Sequence, residues 1–180
     1  AVSSLTCFPG KKMMADLVLF PDERLLSVCK EVQFFDDTLI DTACHMLKLM
    51  RAEGGIGLAA NQAGFDQRII LMRCTGHPYV IEVINPVIRS LSSIETIDLE
   101  GCLSFPEIRI LIQRPKVIEV EYSTMKNERK IVQFGGIEAR CIQHEIDHLD
   151  GKTFLSRANE QQKAHALRQL EILNLRRTQR

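Results

Sequence analysis

The sequence predicts an α+β fold that ends in a C-terminal helix. Strand-like runs are grouped between two main helices, without the regular strand–helix alternation of a parallel sheet. Two of these runs, 117–122 and 130–134, alternate apolar and polar residues across the polar turn 123–128, which makes a hairpin. A later segment around His144 and His148 has helical spacing and carries the strongest chemical signal in the chain.

Taken in order, residues 17–20 form a short apolar strand or extended piece closed by Pro21, and 22–26 form one helical turn. Asp36 and Asp37 offer an N-cap to the first main helix, where Leu39, Ile40, Ala43, Met46, Leu47 and Met50 recur at helical spacing. Cys44 and His45 lie near that stripe and read as core or boundary residues, since no second ligand stands four residues away. The glycine-rich stretch 54–62 ends the helix. It is not a phosphate loop, because no Gly-Lys-Ser/Thr follows. It is either a tight helix-to-strand turn, or also a pocket wall that brings the Gln62 amide into a site.

Residues 68–72 and 79–84 read as strands, with the turn 75–78 leaving His77 exposed, and Asn85-Pro86 breaks the second strand. Another strand covers 94–99, followed by the bounded extended segment Glu100-Gly101-Cys102-Leu103-Ser104-Phe105-Pro106. Gly135-Gly136 leads into the metal helix and Gly151 stops it. Residues 153–155 are extended. Asn159 caps the last helix, whose apolar stripe is Ala164, Leu167, Leu170 and Leu173.

The chain has 180 residues, enough for one domain with a substantial core. Lys+Arg and Asp+Glu number 23 each, so net charge does not drive nucleic-acid binding, and no sequence-specific nucleic-acid contact is expected. No apolar run approaches the roughly 20 residues needed to span a membrane. The six cysteines form no Cys-x-x-Cys pair, which points to a reducing compartment and mostly core thiols. Residues 1–13 read as an N-terminal extension, disordered or left by cloning, and the single catalytic domain is expected over 14–180.

Gln143-His144-Glu145-Ile146-Asp147-His148-Leu149 holds a His-Glu-x-x-His pattern. On a helix the two histidines share one face a turn apart and can chelate one divalent metal. Glu145 sits beside them, near enough to handle a proton of a water on that metal. Ile137, Cys141, His144 and His148 form one inward stripe, and buried polarity of this kind requires a partner.

A catalytic metal normally has three protein ligands. His165 and Glu160 lie downstream, but both read as residues of a solvated helix. Cys141 shares the histidine face, where three ligands would lie nearly in line. Cys102, approaching from a separate strand, is the favoured third ligand, and Cys141 becomes pocket lining.

Three segments together resemble the peptide deformylases: Gly55-Ile56-Gly57-Leu58-Ala59-Ala60-Asn61-Gln62, then Glu100-Gly101-Cys102-Leu103-Ser104, then Gln143 to Leu149 in the same order. The resemblance covers roughly 17–155 and implies mixed, mainly antiparallel sheets around a central metal-binding helix. It implies that Cys102, His144 and His148 hold one divalent ion, Fe²⁺ in the cell, with Zn²⁺, Ni²⁺ or Co²⁺ able to take its place. It assigns proton transfer to Glu145 and the oxyanion to the Gln62 amide and the Leu103 N–H. The implied reaction removes the formyl group from N-formylmethionyl nascent polypeptides and releases formate. That suits a bacterial cytoplasm or an organelle matrix, with transient ribosome contact and no membrane. Ile56, Gly57, Gly101, Ile137 and Cys141 are expected to bind the substrate, Gly57 by letting its backbone lie close. Asp98 and Arg140 depart from the mostly apolar pocket lining of bacterial members, and either pair with each other or turn outward.

Two other readings compete. A metallopeptidase using the same helix would cleave internal peptide bonds. A non-catalytic metal-binding relative would have lost Glu145, Gln62 or Cys102, and all three are present.

Overall fold

The computed structural model describes residues 16–76 and 79–178. The expectations for residues 1–13 and for His77 lie outside the described residues. The first helix, α1 (Asp37–Ala52), forms where Asp36 accepts a hydrogen bond from the Leu39 N–H and where Leu39, Ala43, Met46, Leu47 and Met50 share one buried face. Ile40 sits off that stripe and is partly exposed. Residues 16–19 join no helix or sheet, although the Val18 N–H donates to the Gln62 carbonyl, and Glu23–Leu26 is a 3₁₀ turn capped by Asp22.

Among the described residues, seven strands follow in two antiparallel sheets. The larger orders β1 (Gly57–Ala59), β2 (Ile69–Arg73), β3 (Val80–Leu91), β6 (Val117–Ser123) and β7 (Arg129–Gly135) as β1-β2-β3-β6-β7. The smaller is the hairpin of β4 (Glu95–Cys102) and β5 (Phe105–Pro115). The α+β class and the 117–134 hairpin are as expected. Asn85-Pro86 does not end its strand. Asn85 turns to φ +51, the register shifts between Ile84 and Val87, and the strand resumes. The bulge absorbs the proline, while the Asn85 amide exchanges two hydrogen bonds with the Val32 backbone.

The central helix α2 (Gly136–Leu149) packs Ala139, Cys141, Ile142, Ile146 and Leu149 against β2, β3 and β6. Its end is set by Gly151 at φ +69, where a Cβ would stand 2.5 Å from the Leu26 carbonyl oxygen. Residues 154–156 form a 3₁₀ turn rather than an extended piece, with Phe154 and Leu155 in the core.

The last helix, α3 (Glu160–Thr178), begins at a reciprocal cap. Asn159 Oδ1 accepts from the Gln162 N–H, and Gln162 Oε1 accepts from the Asn159 N–H. Its buried face is Ala166 and Leu170 with Leu173 beside them, whereas Ala164 and Leu167 face outward. The expected stripe was therefore rotated by part of a turn. This face packs on β5, so α3 and the hairpin share one small core with Phe105 and Phe154.

Candidate metal centre

The Cys102 motif is the tight connection between β4 and β5, and it carries the thiol to the histidine face of α2. The ligand atoms of Cys102, His144 and His148 all lie within 4.8 Å of one another, with Cys102 Sγ 3.2 Å from His148 Nε2. One thiolate and two imidazoles on two elements make a donor set that suits a divalent transition metal. Among the described residues, the ligand atoms that converge are those of Cys102, His144 and His148, while Glu160 and His165 are exposed on α3.

Glu100 orients the site. Its carboxylate accepts from His144 Nδ1 at 2.9 Å, which leaves the other ring nitrogen of His144 for a ligand. It also accepts from Arg114 Nε and Nη2 and from Arg140 Nη1. Burial pushes the Glu100 carboxyl up, but His144 and Arg114 outweigh it and hold the group below the usual carboxylate range. Asp147 forms the second half of this network, accepting from Arg114 and Arg157. Burial, then the neighbouring His144 and Arg114, depress His148, whereas at His144 burial is outweighed by Cys102 and Glu100, which raise it.

Glu145 is buried, and its Oε2 has no partner among the described residues. Desolvation pushes its carboxyl up to about 7. Gln62 is only 1 % exposed, and its orientation is fixed from both ends. Oε1 accepts from the Ala59 N–H at 2.9 Å, while Nε2 donates to Ser104 Oγ at 3.1 Å and lies 3.5 Å from Cys102 Sγ. The open choice for residues 54–62 is thus resolved: the stretch is a tight turn that also brings the Gln62 amide to the cluster. Asn61 ties that turn to α2, donating from Nδ2 to the His148 carbonyl at 2.6 Å.

Beside the cluster lies a cavity of ≈ 100 Å³. Ile56, Gly101, Ile137 and Cys141 line it, with Arg140 among them. Ile56 and Ile137 are 48 % and 47 % exposed, so Ile137 flanks the cavity without joining the buried stripe expected of it. Gly57 does not line the cavity. A Cβ there would stand 2.5 Å from Cys141 Sγ and 2.6 Å from Glu145 Oε1, so the glycine makes room for α2. Asp98 and Arg140 do not pair. Asp98 is exposed, its carboxylate accepting from the Leu99 N–H, while Arg140 is buried at the cavity wall instead of turning outward.

A model of the polypeptide deformylase family matches residues 14–164. The chain belongs to that family. It is 35 % identical to the peptide deformylase of Bartonella bacilliformis over 164 residues, covering 86 % of this chain and 90 % of that one. With the enzyme of Treponema pallidum it shares 39 % over 158 residues, covering 88 % and 96 %. The crystal structure of a Legionella pneumophila peptide deformylase superposes with a TM-score of 0.87 at 29 % identity, covering 93 % of this chain and 99 % of that one. A peptide deformylase from Synechococcus elongatus, solved in complex with actinonin, gives 0.82 at 34 % identity, covering 86 % of each chain.

Like its deformylase relatives, this chain is a metalloenzyme that removes the formyl group from N-formylmethionine peptides, and nascent formylated chains are its substrates. Among the described residues, no helix is long and apolar enough to cross a membrane. Sequence reasoning missed the Glu100, Arg114 and Asp147 network, together with Ser104 and the bridge from Asn61. Arg114 left a trace in the alternation Ile108, Ile110, Ile112, Arg114, which places an arginine on the buried face of a strand.

Proposed function

We propose that Cys102, His144 and His148 hold one divalent ion, that Glu145 carries the proton, and that Gln62 and Leu103 steady the oxyanion during deformylation. The convergence of the three ligand atoms within 4.8 Å beside a buried, partner-free carboxylate oxygen carries this reading. When bound, the ion supplies a Lewis acid and makes water acidic enough to yield hydroxide near neutral pH.

The residues divide the remaining work. Glu145 takes a proton from water and returns it to the amine nitrogen as the formyl C–N bond breaks, so that formate and a free N-terminus leave. A carboxyl poised near neutrality can serve in both directions. Gln62 Nε2 and the Leu103 N–H supply donors for the negative charge that develops on the formyl oxygen. The cavity walled by Ile56, Gly101, Ile137 and Cys141 takes the methionine side chain, and Gly57 contributes by admitting the Glu145 carboxylate.

The metal in the cell is Fe²⁺ on this reading, with Zn²⁺, Ni²⁺ or Co²⁺ competent in the same ligands. The thiolate and imidazole set supports a borderline-soft ion of this kind. Residues 14–180 act as one catalytic domain preceded by the extension 1–13, in keeping with a family match that begins at residue 14. The enzyme works in a bacterial cytoplasm or an organelle matrix, where formylated chains are made, and meets the ribosome transiently as they emerge.

The decisive experiment measures formate release from a formyl-Met peptide alongside metal content. Fe²⁺- or Ni²⁺-loaded protein is expected to release formate. Glu145→Gln is expected to lower kcat about 10²–10⁴-fold with the metal retained. Full activity in that variant would remove Glu145 from the chemistry.

A further inference from the structure

Arg140 is an unusual wall for a pocket that takes an apolar side chain. It stands one residue before Cys141 on α2 and lines the same cavity, yet it is only 6 % exposed. Nη1 donates to Glu100 Oε1 at 2.7 Å and to the Ile112 carbonyl at 2.8 Å. Nη2 donates to the Thr96 carbonyl at 2.7 Å and to Thr96 Oγ1 at 3.1 Å. Glu100 and Thr96 belong to β4 and Ile112 to β5, so the side chain spans from α2 to the hairpin and forms part of the cavity wall. Apolar walls yield by changing rotamer. This one cannot move without stripping a donor from Glu100 and leaving two carbonyls short of a partner.

We propose that Arg140 is the specificity-determining residue of this pocket. It fixes the length of the cavity, so that formylated peptides with a first side chain of methionine's length are accepted and longer or wider ones are rejected. The inference rests on the deformylase reading and on the cavity as the seat of that side chain. Asp98, exposed outside the cavity, takes no part.

The test uses metal-loaded enzyme and formyl-peptides whose first residue is methionine, norvaline, norleucine, 2-aminoheptanoate or phenylalanine. For the unaltered enzyme, kcat/KM is expected to rise as far as norleucine and to drop about tenfold or more with the next methylene. Arg140→Met and Arg140→Leu are expected to shrink that drop to about threefold or less, chiefly through KM, with metal content unchanged. A uniform fall for every peptide, or unaltered selectivity in a folded variant, would show Arg140 to be only a strut. If neither variant folds, the series on the unaltered enzyme decides, and a rate that keeps climbing past norleucine overturns the proposal. Absence of formate release from every peptide would instead defeat the deformylase reading itself.

Discussion

Gly57 shows how closely single atoms are arranged here. Its missing side chain is occupied by two groups of α2, the Cys141 sulfur and the Glu145 carboxylate. Gly57→Ala is therefore expected to cost about 1–3 kcal/mol as an overpacked contact and to displace the carboxylate. Adding Cys141→Ala relieves the sulfur contact alone. The double variant should recover stability by urea denaturation while formate release stays low, and recovery of both would show that Glu145 had not been displaced. The same residues mark what a sequence can show. His144, Glu145 and His148 were legible because their relation is local, four positions along one helix. Glu100 stood in a quoted motif but had no readable role, because its partners Arg114, Arg140 and His144 lie 14 to 44 positions away. Gly57 shows the same limit, since the atoms that fill the space of its missing Cβ come from another element.

Among the elements, the β4–β5 hairpin was the least legible and the most consequential. Its first strand was read as ending at residue 99 and its second was not read at all, because a buried arginine among isoleucines does not resemble an ordinary amphipathic strand. That arginine fastens the hairpin to α2. Arg114 donates to Glu100 within the hairpin and to Asp147 on the helix, with all three side chains buried. Removing one member of such a network leaves charges buried with fewer partners. Arg114→Met is expected to destabilise the fold by about 3–5 kcal/mol, read as a lower urea midpoint with little change in slope. A loss below about 1 kcal/mol would mean that Arg140 and Arg157 suffice to hold the two carboxylates. The helices were easier to read because their apolar periodicity is local, although the α3 stripe came out rotated where many polar residues dilute it.

At the scale of the whole molecule, the proposed ligands join two separately built parts. Cys102 belongs to the two-stranded sheet, which shares its core with α3, while His144 and His148 belong to the helix packed on the five-stranded sheet. An ion held by all three binds the folded chain and not the unfolded one, so it adds stability by mass action. At a free concentration 100 times its dissociation constant the gain is about 2.7 kcal/mol, and chelation should lower Tm by about 5–10 °C. The loss should also be uneven. Hydrogen exchange is expected to quicken at the β4–β5 connection and along α2, where the two parts meet. The interior pairing of β2, β3 and β6 does not depend on the ion and should stay protected. An unchanged Tm after complete chelation would show that the protein's own buried charges already lock the parts together. Uniform loss of protection would instead mean that the two sheets unfold as one unit, with Glu100, Arg114 and Asp147 coupling them so tightly that the metal adds chemistry and overall stability but no separate joint.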